Sequence, residues 1–124
     1  MDYIASNDAP KAIGPYSQAI RSGNLVFLSG QIALDPKSGN LVDGDFSAQV
    51  RRVFENLRAV LRAAGADFRN VTRATVYLTD LGNFQTLNSI YAEYLGEHKP
   101  ARSTVGVAQL PRGAAVEIDL IAAL

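Results

Sequence analysis

The sequence predicts an α+β domain: a mixed β-sheet with two helices packed on one face. Three observations predict it. Two segments, Val50 to Ala64 and Leu87 to Leu95, carry apolar residues at the three- and four-residue spacing of a half-buried helix. Other segments alternate apolar and polar side chains, the period of a strand covered on one side. The elements follow one another as β-β-α-β-α-β-β, and each helical stripe then finds an apolar sheet face to bury it.

Residues 1 to 21 open with a short extended piece, turn at APKAIGPYS and end in a strand from Ser17 to Arg21. Ser22-Gly23-Asn24 is a turn signal before LVFLSGQI, where Val26, Leu28 and Ile32 share one face and Phe27, Ser29 and Gln31 the other. Gly30 inside that strand suggests a bulge or a close approach to the backbone. DPKSGN is a loop.

The first helix carries Val50, Val53, Phe54, Leu57, Val60, Leu61 and Ala64 on one stripe, with Asp45 as N-cap and Gly65 as its stop. VTRATVYLT is β-branched and alternating, with Ala74, Val76 and Leu78 on its apolar face. The second helix runs from about Asn83, a candidate cap, to Leu95, and Gly96 ends it. His98-Lys99-Pro100 leads into the last stretch, Ala101 to Leu120, read as two short strands joined by a Pro/Gly turn.

Bulk properties exclude several function classes. The 124 residues form one domain, 1–124. Twelve basic residues balance twelve acidic ones, which disfavours a nucleic-acid binder, since such proteins need a basic stripe. The four arginines Arg51, Arg52, Arg58 and Arg62 on the first helix read as a solvated face. With no cysteine and one histidine, His98, the chain has no thiol nucleophile, disulfide or His-pair metal site. The start, MDYIASNDAPK, shows no basic region followed by an apolar run, and no stretch is long enough for a membrane span. A cytoplasmic protein is the expectation.

Parity selects the candidate functional residues. In the last strand Val116, Ile118 and Leu120 point together, so Glu117 and Asp119 point away. Val105 and Val107 are expected on the helix-covered side, leaving Arg102, Thr104 and Gly106 opposite. The uncovered face would then carry Ser29, Gln31, Thr75, Tyr77, Arg102, Thr104, Glu117 and Ile121. With Phe27, Tyr77 and Ile121 it is too apolar for a wet surface, and self-association would cover it. The residues alone leave two readings for each charge. Arg102 is a structural or surface ion pair, or a guanidinium fork for a carboxylate. Glu117 is a solvated strand carboxylate, or a group that positions or deprotonates water. Ser29 has no adjacent base, so it reads as a hydrogen-bonding residue rather than a nucleophile. Tyr16, held in the rigid turn IGPYS, is either a pocket-mouth ring or a core aromatic. Asn88 reads as polar-face filler or a local cap partner.

The ordered set APKAIGPYSQA, LVFLSGQIALDPKSGNLV, VTRATVYLTDLGNF, YAEYLG and PARSTVGVAQLPRGAAVEID resembles the RidA family of enamine/imine deaminases over essentially the whole chain. The resemblance implies a chorismate-mutase-like fold and a homotrimer with small-molecule sites in the clefts between subunits. It implies that Arg102 grips a substrate carboxylate and that Glu117 orients or activates the hydrolytic water. It also implies that Tyr16, Ser29, Gly30, Asn88 and Thr104 contribute to binding, Gly30 and Thr104 through their backbone. Thr104 stands where many relatives have cysteine, and Gly106 and Asp119 replace bulkier or longer residues. The implied reaction converts 2-aminoacrylate, 2-aminocrotonate and related 2-imino acids to 2-oxo acids and ammonia, and demands no metal or redox cofactor. The alternative is a ligand-sensing or protein-interaction module that uses the same cleft without turnover. A third reading, ribonuclease activity, is opposed by the neutral charge and the lone histidine.

Overall fold

The computed structural model describes all 124 residues. Six strands form one mixed sheet in the order β1-β2-β3-β6-β4-β5: β1 Asp2–Ile4, β2 Ala19–Ser22, β3 Leu25–Gln31, β4 Val71–Leu78, β5 Ala101–Gly106 and β6 Val116–Ala123. Two helices, α1 Phe46–Ala63 and α2 Phe84–Leu95, pack together on one side of it. The opening extended piece is thus a true strand, β1, which pairs with β2 at the edge of the sheet.

The helix boundaries follow from local chemistry. Asp45 accepts a hydrogen bond from the Ala48 N–H at 3.0 Å, capping α1. At the other end Gly65 takes φ 78°, the Gly65 N–H reaches the Arg62 carbonyl and the Ala66 N–H reaches that of Leu61, a Schellman closure. The start of α2 differs from expectation. Asn83 makes no capping bond; Asp80 instead accepts from the Gly82 N–H at 2.8 Å and starts a 3₁₀ turn that feeds the helix.

The core lies between the helices and the even-numbered face of the sheet. Val26 and Leu28 of β3, Ala74, Val76 and Leu78 of β4, and Val116, Ile118 and Leu120 of β6 are all buried there against Val53, Leu57, Leu61, Leu87 and Ile90. Phe54 ties the two helices together: its ring stacks on Tyr94 at 4.7 Å and meets Tyr91 edge-on at 5.8 Å.

The two C-terminal strands are not partners. The 3₁₀ turn Pro111–Gly113 separates them, and β4 lies between them, parallel to β5 and antiparallel to β6. β5 therefore forms the other edge of the sheet, reached through the β4-α2-β5 crossover that a parallel pair requires.

Candidate active site

Glu117 owes its surroundings to a β-bulge. The β3–β6 register runs Leu28↔Leu120 and then Gln31↔Ile118, so the ladder shifts across Ser29 and Gly30. One consequence corrects the parity argument. Gln31 is turned from the open face to the core side and is 7% exposed. The other is close approach: a Cβ on Gly30 would stand 2.5 Å from Glu117 Oε2 and 3.1 Å from its Cγ. Only glycine lets the bulge lie against this carboxylate.

A cavity of about 520 Å³ opens there, and Tyr16, Ser29, Gly30 and Glu117 are among its lining residues. Tyr16 is 53% exposed and is a mouth residue, not a core aromatic. Its hydroxyl accepts from the Ile13 N–H at 3.4 Å, bracing the IGPYS turn. Ser29 donates its hydroxyl to the Ser17 carbonyl, consistent with a hydrogen-bonding residue. Gln18, buried beneath them, donates to the Pro10 carbonyl at 2.7 Å and accepts from the Ser6 N–H at 2.6 Å, anchoring the N-terminal wall. Burial first, and then the neighbouring charge of Asp119, push the Glu117 carboxyl above its ordinary value. Tyr77, paired with Glu117 across the strands, is also raised, by burial and then by Asp119.

Arg102 is elsewhere. In the β4–β5 register Ala74 faces Arg102 and Val76 faces Thr104, so both point to the helix side of the sheet. The Arg102 guanidinium lies over the Tyr91 ring at 4.8 Å and the Phe84 ring at 5.6 Å. Phe84, Asn88 and Tyr91 stand at i, i+4 and i+7 on α2, which sets Asn88 on the stripe between the two rings. Arg102 is half-buried and has neither a hydrogen bond nor an ion pair within the chain, so its planar fork is held but unused. Two hydroxyls, those of Tyr91 and Thr104, are buried without a partner. Burial, opposed by the charge of Arg102, raises the Tyr91 phenol.

The expected single mixed face is therefore two half-sites on opposite faces. Glu117 pairs with Tyr77 on the open side, whereas Arg102 and Thr104 share the helix side with Ala74 and Val76. Val105, apolar enough to suggest the core side, is what breaks the expectation. It pairs with Tyr77 on the open face and is 39% exposed, because register with β4, not the hydrophobicity of an edge strand, sets its direction. Tyr16, Ser29, Gly30 and Glu117 come together in one cavity; Arg102, Thr104 and Asn88 gather at the β5 edge. Tyr91 fits the apolar stripe of the second helix in sequence, so neither it nor Phe84 is marked there as a site residue; their spacing around Asn88 was the available signal. Gly106 has a packing role: a Cβ there would meet Leu81 Cγ at 3.0 Å. His98 is engaged structurally, its Nε2 lying 2.6 Å from the Val71 carbonyl. No helix is long and apolar enough to cross a membrane.

Comparison with known proteins agrees with this architecture. The family profile described as endoribonuclease L-PSP matches residues 6–124. The mouse protein named 2-iminobutanoate/2-iminopropanoate deaminase is 47% identical over 119 residues, 96% of this chain and 88% of that one. The crystal structure of RidA from an Antarctic Psychrobacter superposes with a TM-score of 0.96 at 43% identity, covering 100% of both chains. That of Escherichia coli TdcF with bound serine gives 0.95 at 39% identity, covering 100% of this chain and 99% of that one. With the profile spanning residues 6–124 and a RidA structure superposing over the full length at 43% identity, the chain belongs to the RidA family, whose profile bears the endoribonuclease L-PSP description.

Proposed function

We propose that the protein is an enamine/imine deaminase that hydrolyses 2-aminoacrylate, 2-aminocrotonate and related 2-imino acids to 2-oxo acids and ammonia. The observation that carries this reading is the unpaired guanidinium of Arg102, immobilised against Tyr91 and Phe84 with its fork free for a carboxylate. The names of the mammalian relatives and the serine bound in TdcF point to the same class of small amino-acid-derived ligand.

In the proposed reaction Arg102 holds the substrate carboxylate. The oxygen of a water attacks the imine carbon while Glu117 accepts a proton from it. Glu117 returns that proton to nitrogen, giving the carbinolamine, whose hydroxyl proton is then carried to the same nitrogen as the C–N bond breaks, ammonia leaves and the carbonyl forms. The Glu117 carboxyl, raised by its surroundings, is suited to take the proton and return it. Backbone N–H groups near Gly30 and Thr104 would orient the ligand, with Tyr16, Ser29 and Asn88 around it.

Because Arg102 and Glu117 lie on opposite faces of one sheet, the reading requires two copies of the chain for each site. A homotrimer would set the β5 edge of one copy against the cavity of the next. Support comes from the exposed apolar residues of the open face, Leu25, Phe27 and Val105, and from the buried, unpartnered hydroxyls of Tyr91 and Thr104, which a polar ligand at that edge would satisfy. The ribonuclease reading is opposed by the zero net charge and by the engagement of the single histidine with the Val71 carbonyl.

The test couples a PLP-dependent threonine dehydratase to the protein and follows 2-oxo acid release. Arg102→Ala and Glu117→Gln should each abolish the acceleration. Co-refolded in equal amounts, they should recover about one quarter of it, the fraction of sites that draw an intact residue from each copy. No acceleration by the wild-type protein would refute the proposal, and retained 2-oxo acid binding in that case would favour the ligand-sensing alternative.

A further inference from the structure

The cavity beside Glu117 has a charged lip that the reaction does not use. Three charged residues line it, Lys11, Arg112 and Glu117, so it carries a net positive charge of one when all are ionised. The cations come from separate loops: Lys11 from the N-terminal turn and Arg112 from the Pro111–Gly113 turn. Neither forms an ion pair within the chain. The lining is partly apolar, with Ile13, Ile32 and Leu34 contributing.

Arg112 has a second distinguishing feature. At φ 61° and ψ 18° it is the one non-glycine residue in the left-handed region. That conformation costs an L-residue about 1–2 kcal/mol, which a glycine at this position would avoid. The turn nonetheless presents a guanidinium at the cavity, steadied by a 3.4 Å bond from its Nη1 to the Gly39 carbonyl. Strain kept at the edge of a site marks a constraint beyond folding. The volume, about 520 Å³, is also far more than a three-carbon imino acid fills.

We propose that Lys11 and Arg112 select 2-imino acids whose side chain ends in a second carboxylate, with its methylenes against the apolar wall and its acid at the lip. This rests on the imine-hydrolase reading and adds to it the substrate class. The favoured substrates are four- and five-carbon 2-imino dicarboxylic acids.

The experiment generates these imines in place with L-aspartate or L-glutamate oxidase, and a neutral imine with an L-amino-acid oxidase acting on leucine. Catalase removes peroxide, semicarbazide traps unreacted imine, and kcat/KM is compared between the dicarboxylic and neutral substrates. The wild-type protein should prefer the dicarboxylic imines, and raised ionic strength should erode that preference. Arg112→Gln, which keeps a left-handed residue in the turn and removes the charge together with the long bond to the Gly39 carbonyl, should lower the ratio about fivefold, as loss of one exposed ion pair would. Arg112→Gly should lower it similarly while raising the Tm, which separates charge from folding. Turnover of the neutral imine with no dicarboxylic preference, or a preference that Arg112→Gln leaves unmoved, overturns this inference alone. Failure to hydrolyse either class overturns the imine reading, and this inference with it.

Discussion

Gly30→Ala tests whether the placement of Glu117, rather than its mere presence, governs turnover. The backbone at Gly30 is not left-handed, so alanine meets no conformational penalty there; the obstacle is steric. The added methyl would stand 2.5 Å from Glu117 Oε2, 2.9 Å from Cδ and 3.1 Å from Cγ. Ordinary contact is about 3.5–4 Å, so the carboxylate must retreat by roughly 1 Å. With Cγ also crowded, the whole side chain swings rather than its tip alone. A misplacement of about 1 Å costs on the order of 10²-fold in rate, or about 2.7 kcal/mol of transition-state stabilisation. Overpacking should cost about 1–3 kcal/mol of stability and lower the Tm by several degrees without unfolding the protein at 25 °C. The assay is coupled imine hydrolysis with kcat and KM separated, alongside thermal denaturation. We expect kcat to fall and KM to change little, because Arg102 is untouched. In a Glu117→Gln background Gly30→Ala should lose its effect on kcat, since both changes act through one carboxylate. A kcat within twofold of wild type in a folded Gly30→Ala protein would refute the reasoning.

Three further outcomes follow from the same geometry. Arg102→Lys keeps the charge but loses the planar fork and its stack on Tyr91, so kcat/KM should fall about 10- to 100-fold, the worth of charge-assisted hydrogen bonds of about 1.5–3 kcal/mol, and wild-type rates would remove the clamp assignment. Tyr91→Phe deletes a buried hydroxyl without a partner and keeps the ring, so the ligand-free protein should be as stable as wild type or more so; a Tm lowered by more than a few degrees would show the hydroxyl bonded. The carboxyl of Glu117 is raised in the fold, by burial and then by Asp119, so the native state holds its proton to higher pH than the unfolded chain does. Stability from this group is fully present below the ordinary carboxylate value and is lost as pH rises through the raised one. Asp119→Asn should therefore shift the acid limb of the kcat/KM profile to lower pH and lessen that loss, and an unmoved limb would exclude Glu117 as the titrating base.

Local physics made much of the fold legible. The Phe54, Leu57 and Leu61 stripe, the Asp45 cap and the Gly65 stop are short-range signals, and they are realised in α1. Alternation identified β3, β4 and β6, and Gly30 announced its bulge. Asn83 misled because Asp80, three residues earlier, offered a better-placed carboxylate. Of the candidate site, parity put Ser29 and Glu117 on one face, while Tyr16 and Gly30 joined them only through the family resemblance. Phe84 and Tyr91 were not legible as site residues because an aromatic stripe on a helix, where Tyr91 belongs by spacing, is also what a core helix shows.

Short-range patterning settles the elements and the two-faced character of each strand, and the order of the motifs points to the family. Neither determines how the faces of different strands align. Alternation has a period of two within a strand, but the phase between strands is set by backbone hydrogen bonds that join distant residues. Leu28 and Gln31 both face the core only because the ladder shifts between them. Arg102 falls in phase with Ala74, and Glu117 with Tyr77. Tertiary structure alone put the arginine and the glutamate on opposite faces, and so changed one expected pocket wall into two halves.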